Sequence, residues 1–192
     1  MSLLVGEVVL VTGGGRGIGR IIAEALAAEG AAVAVLARSA AEIESVASDI
    51  ENRGGTALPV VCDVTEPTRV ADAIDAVNRR LGPLTLAVNN AGTCRAVGPL
   101  VEVDPNLWWR EVETHVRGAA LVSHFALRSM IQRHRGRIVN IYGNLGDRAG
   151  RYSSAYAVAR PHCSGSPNRR PSSATMPGSP CSPCTPASST PR

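Results

Sequence analysis

The chain of 192 residues contains no lysine. All 20 of its Lys/Arg-type cations are arginines, so each positive charge is a planar guanidinium that stays protonated. Aromatic residues make up only 3% of the chain. None falls among Arg169, Arg170 and Arg192, the three arginines of residues 161–192. Basic residues without stacking partners are read as incidental, and no nucleic-acid partner is expected. No apolar run reaches the ~18 residues a membrane-spanning helix needs. The start, MSLLVGEVVLVTGGG, lacks a basic leader and its apolar run meets glycines at once. No signal peptide and no membrane partner are therefore expected, and the chain reads as cytoplasmic. Cysteine is sparse: Cys62, Cys94, Cys163, Cys181 and Cys184. CSPC at 181–184 has C-x-x-C spacing, yet no second pair or His cluster completes the four ligands of a zinc site. Free thiols and no metal are expected.

What is present divides at residue 160. Residues 1–160 hold 17 Arg against 16 acids and alternate apolar runs with amphipathic segments. EVVLVT (Glu7 to Thr12), AVAVLA (Ala32 to Ala37), ALPVVCDV, LTLAV (Leu84 to Val88) and RIVNI read as five strands. Between them, Ile18 to Glu29, Ala40 to Arg53 and a segment led by Thr65 or Glu66 with Pro67 have helical spacing. Asp104 as N-cap with Pro105 behind it opens one long helical region towards His134. Continuous apolar strands separated by helices predict a doubly wound α/β domain, a parallel sheet covered on both faces.

Residues 161–192 differ in kind, with 8 Pro and 8 Ser and no hydrophobic periodicity. Such a segment cannot offset its ordering entropy by apolar burial, so it is expected to be disordered. The predicted organisation is one Rossmann-type domain over 1–160, truncated after about its fifth strand, and a low-complexity tail over 161–192.

TGGGRGIG (Thr12 to Gly19) lies between the first strand and its helix, where glycines let a backbone approach a pyrophosphate and a helix N-terminus faces it. Asp63-Val64 ends the third strand, NNAG (Asn89 to Gly92) ends the fourth, and Tyr156 lies beyond the fifth. Together these resemble the classical short-chain dehydrogenase/reductase family, over about residues 5 to 160. The resemblance implies nicotinamide-dependent oxidoreduction of a small alcohol or carbonyl compound, by a dimer or tetramer. It implies that Gly13, Gly17, Ile18 and Gly19 line the pyrophosphate, that Asp63 and Val64 face the adenine, and that Asn90, Ala91 and Gly92 lie near its ribose. Local roles stay open for these residues: Asp63 as a cap, NNAG as a strand-ending turn. The second strand ends Ala37-Arg38-Ser39 without an acid for a ribose hydroxyl, and Arg16 adds a second cation. NADP(H) is therefore expected over NAD(H), with solvated arginines as the alternative.

In the family a Tyr exchanges the proton with the substrate oxygen, a Lys four residues later holds the ribose, a Ser orients the oxygen, and an Asn completes a relay. Tyr156 fits the first role. The Lys position holds Arg160, the Ser position holds Gly143 between Tyr142 and Asn144, and the Asn position holds His115, whose imidazole can still relay protons. The pattern then ends. One lost nucleotide would account for both Arg160 and the residues after it, since one choice of codons for KAALLRLTE, minus one A, reads as Arg-Pro-His-Cys-Ser-Gly-Ser-Pro-Asn, the residues at 160 to 168, with a genuine linker or interaction tail as the alternative. Residues 161–192 are therefore read as out-of-frame. A non-catalytic remnant that at most binds nucleotide is the second expectation.

Overall fold

The computed structural model describes residues 2–141 and 152–159. Tyr142, Gly143, Asn144, Arg160 and all of 161–192 lie outside the described residues, and with them the Ser and Lys positions and the Pro/Ser-rich segment.

Among the described residues, five strands form one parallel sheet in the order β3-β2-β1-β4-β5: β1 (Val8–Thr12), β2 (Ala32–Ala37), β3 (Thr56–Val61), β4 (Leu86–Asn89) and β5 (Arg137–Asn140). The helices are α1 (Gly17–Ala28), α2 (Ala40–Asn52), α3 (Pro67–Arg80), α4 (Pro105–Val112), α5 (Gly118–Gln132) and α6 (Ser154–Ala159). The pleat explains why two helix layers are needed. Val9 and Val11 leave β1 on one face and pack with Ala23 of α1 and Ile43, Val46 and Ile50 of α2. Val8 and Leu10 leave on the other and pack with Val70, Ile74 and Val77 of α3 and Val122 of α5. Alternate residues thus feed two cores, as period-two geometry dictates.

The doubly wound α/β fold is the one the sequence predicts, with two corrections. Burial of every strand on both faces holds in β1 but not at the sheet's edges. β3 and β5 show exposed positions, including Val61 and Val139, because an edge strand lies at the margin of the helix layers. The single long helix is also interrupted. Asp104 caps it as expected, Oδ1 accepting from the Asn106 amide at 2.9 Å, but a π-helical turn at Glu113–Arg117 separates α4 from α5. Extra residues in a helical turn change the direction of the side chains they carry, and such turns recur at functional sites.

From β1 the chain steps outward to β2 and β3, then returns to the far side of β1 for β4 and β5. The reversal leaves a crevice beyond the carboxyl ends of β1 and β4, where doubly wound sheets bind ligands.

Candidate functional site

The crevice opens into a cavity of about 610 Å³ lined by the glycine loop, the end of β2, Asp63 and Val64, Asn90 to Arg95, His115 and Tyr156. Its glycine end is built by close approach. Gly13 has φ +64, and a Cβ there would come within 2.9 Å of the Ala91 Cα. A Cβ on Gly19 would drive into the Gly13 carbonyl and the Asn90 carboxamide. α1 starts at Gly17 behind an extended Arg16, with no side-chain cap on its first amides. Uncapped amides at a helix start favour an anion, and this end of the cavity fits a pyrophosphate.

The loops on either side of the crevice are laced together. Thr12 Oγ1 donates to the Val88 carbonyl at 3.2 Å and accepts from the amides of Asn90 and Ala91, both at 3.0 Å. Asn90 Nδ2 donates to the carbonyls of Thr12 and Gly13 at 3.0 and 3.3 Å. Asn89 Nδ2 donates to Asn140 Oδ1 and Ser123 Oγ at 2.8 and 2.9 Å, tying β4 to β5 and α5. The side chains of Asn89 and Asn90 therefore hold the frame, while Asn90, Ala91 and Gly92 line the cavity.

At the β2 end the cavity meets Arg16, Arg38 and Ser39. Arg38 Nη1 lies 3.8 Å from Asp63 Oδ2, a long and exposed ion pair that holds neither side chain firmly. Asp63 Oδ1 also accepts from the Thr65 amide at 3.0 Å and the Thr65 hydroxyl at 2.8 Å, which closes a local turn and does not cap α3, since Glu66 takes the N-cap position without a side-chain cap bond. Glu42, on the first turn of α2, lines the same end and was not anticipated. It follows a serine N-cap by three residues, the spacing of a capping box, which was the available signal.

At the other end stand His115 and Tyr156, rings edge to face with centroids 5.2 Å apart. His115 is buried, and its Nε2 sits 2.8 Å from the Thr93 carbonyl and 3.3 Å from the Thr93 amide. α6, which carries Tyr156, is held by Trp108 Nε1 donating to Ser154 Oγ at 3.0 Å and by the Gly98 amide donating to the Tyr152 carbonyl at 2.8 Å. Two further residues escape a motif search: Trp108, and Glu111, whose carboxylate is buried beside the Thr93–Ala96 segment.

Two thiols line the cavity, Cys62 buried and Cys94 exposed. Burial, and then the Asp63 charge, push the Cys62 thiol up to about 11, against an opposing pull from Arg69. Partial desolvation, and then Glu111, also raise Cys94. Iodoacetamide at pH 8 is expected to label Cys94 slowly and Cys62 slower by at least about tenfold, with both labelled readily in denaturant. Peptide mass mapping reads this out. Because folding disfavours the Cys62 thiolate, stability is expected to fall as pH rises from about 8.5 towards about 11. Among the described residues no cluster of three metal-ligating side chains occurs, and no helix is long and apolar enough to cross a membrane.

Comparison with known proteins places this geometry. The short chain dehydrogenase family model matches residues 7–161. A short chain dehydrogenase of Pseudocercospora fijiensis is 35% identical over 159 residues, covering 82% of this chain and 51% of the relative. Gluconate 5-dehydrogenase of Gluconobacter oxydans is 40% identical over 138 residues, covering 72% and 54%. The crystal structure of an NAD+-bound xylitol dehydrogenase superposes with a TM-score of 0.79 at 33% identity, covering 82% of this chain and 61% of that one. The chain thus spans about half the length of the curated relatives it matches. A glycine loop under an uncapped helix, a laced NNAG turn and a tyrosine at the mouth of the crevice agree with that match, and the chain belongs to the short-chain dehydrogenase/reductase family.

Proposed function

We propose that the chain is a nicotinamide-dependent oxidoreductase of small alcohol or carbonyl compounds, cytoplasmic and homo-oligomeric, with a preference for NADP(H). The observation behind this reading is one cavity with a phosphate-fitting glycine loop at one end and Tyr156 at the other. Gly13, Gly17, Ile18 and Gly19 would hold the pyrophosphate, Asp63 and Val64 the adenine, and Asn90, Ala91 and Gly92 the ribose side. A bound nicotinamide supplies or accepts hydride. The Tyr156 hydroxyl gives a proton to, or takes one from, the substrate oxygen. His115 takes the relay position beside it, with the Thr93 peptide as hydrogen-bond partner. Arg160 and Gly143 are assigned the Lys and Ser positions by sequence order alone. Titration with NADPH and NADH, followed by a panel of carbonyl substrates, tests the reading. Turnover supports it, while binding without turnover marks a nucleotide-binding remnant.

The preference for a 2′-phosphate rests on Arg38 and Arg16, opposed by the Glu42 carboxylate at the same end. Arg38→Ala is expected to weaken NADPH by about tenfold to hundredfold, the worth of a charge-assisted phosphate contact, and to change NADH by less than about threefold. Equal losses for both nucleotides would remove the case for NADP(H). Residues 161–192 we read as out-of-frame translation of a gene whose own frame continues the family pattern. Sequencing genomic DNA across codons 159 and 160 tests this, and an intact frame matched by the mass of the natural protein would sink it.

A further inference from the structure

Three side chains on one stretch of helix reach the parts that close the substrate end of the cleft. Trp108 bonds Ser154 at the start of α6, and His115 bonds Thr93 while its ring meets Tyr156. Between them, Glu111 Oε2 accepts from the amides of Arg95 at 2.7 Å and Ala96 at 3.0 Å. Glu111 is 1% exposed, and its Oε1 is buried with no hydrogen-bond partner among the described residues. A carboxylate in such a place is costly, because one oxygen is desolvated without compensation. A leucine would fill the same space without that cost. What only an acceptor adds is a grip on two consecutive amides of the segment that runs from NNAG past Thr93 to Ala96.

We propose that Glu111 is a positioning residue: by holding the Arg95 and Ala96 amides it fixes the Thr93–Ala96 wall, and through Thr93 it keeps His115 in register with Tyr156. The proposal rests on the reading of Tyr156 as the acid/base group. Without the grip, Thr93 can drift from the His115 ring, and the loss falls on the chemical step rather than on nucleotide binding at the far end.

The test uses the full chain carrying Glu111→Leu or Glu111→Gln. Hydrogen exchange followed by mass spectrometry is read at residues 95 and 96, against Val8–Thr12 and Ala32–Ala37 as internal controls. Glu111→Leu is expected to speed exchange at 95 and 96 by at least about tenfold with the control strands unchanged. It is also expected to lower kcat by at least about tenfold while KM for NADPH stays within about threefold. Glu111→Gln keeps an acceptor oxygen and is expected to restore both readouts to within about threefold of the parent. Unchanged exchange at 95 and 96 in Glu111→Leu overturns the proposal, and so does a Gln variant that fares no better than Leu. If circular dichroism shows that Glu111→Leu does not fold, Glu111→Asp, its carboxylate drawn back by one methylene, takes its place with the same expectations. A parent chain with no turnover defeats the reductase reading alone, and exchange with its rescue by Gln then decides this one.

Discussion

Tyr156→Phe is expected to lower carbonyl turnover by about 10²- to 10⁴-fold, the usual worth of a positioned acid/base group, with the Kd for NADPH within about threefold. The substitution isolates one atom. A phenyl ring keeps the edge-to-face contact with His115 and the place of Tyr156 on α6, whose anchors through Ser154 and Tyr152 are untouched. The glycine end of the cavity is held by the bonds of Thr12 and Asn90, which the substitution leaves in place. The expected result is therefore a large fall in kcat with binding preserved. Stopped-flow or steady-state oxidation of NADPH measures it, with fluorescence titration for the Kd. A fall of less than about tenfold means that another group protonates the substrate oxygen, and His115 becomes the first candidate. A matching loss of nucleotide affinity would mean that the ring's packing, not its hydroxyl, was removed.

The sheet was legible because its signals are local. Apolar runs with glycine or an N-cap after each one mark β1, β2 and β4 and the helices between them, and the crevice follows from the strand order. The limits of these elements shifted by a residue or two, where end residues such as Glu7 and Leu84 belong to loops. Edge exposure was not legible, since ALPVV reads the same whether its neighbours lie on one side or two. The π turn was invisible for a similar reason. Asp104 to His134 has a cap at one end and inside it only Gly118, which a helix tolerates, and the local sequence does not report how many residues one turn holds.

The site was half legible. The glycine loop, Asp63, Asn90 to Gly92 and Tyr156, which line one cavity, are found by motif, because close backbone approach and the proposed proton transfer each demand one residue type. Glu111 was not found, since in EVETHVR it looks like one charge of a solvated face. A usable signal exists all the same. Counting back along the buried stripe from Met130 through Ala126, Val122 and Gly118 in steps of three or four lands on His115 and then Glu111. Two titratable residues on the buried stripe of a helix call for partners, and both find them in the segment after NNAG. The Arg38–Asp63 pair and the Glu42 carboxylate were illegible, because side chains from the end of β2, the first turn of α2 and the loop after β3 meet only once the sheet has formed.

The glycine loop yields the second large effect, and it separates two reasons for being glycine. At Gly19 the reason is space: an added methyl meets the Gly13 carbonyl and the Asn90 carboxamide, both parts of the lacing that joins the β1 loop to the β4 loop. Backbone cannot step aside there without breaking the bonds of Asn90 to Thr12 and Gly13. At Gly17 the reason is conformation: φ is +53 and nothing lies within 4 Å of an added Cβ. Gly17→Ala is expected to cost about 1 kcal/mol of stability and to weaken NADPH by no more than about tenfold. Gly19→Ala is expected to weaken NADPH by more than Gly17→Ala does, by up to about 150-fold, because overpacking of about 1–3 kcal/mol is relieved by moving the amides proposed to face the pyrophosphate. Calorimetric titration of both variants beside thermal unfolding distinguishes the two. The reverse order of affinities would mean that loop conformation, and not the fit of α1 against the β1 and β4 loops, governs nucleotide binding.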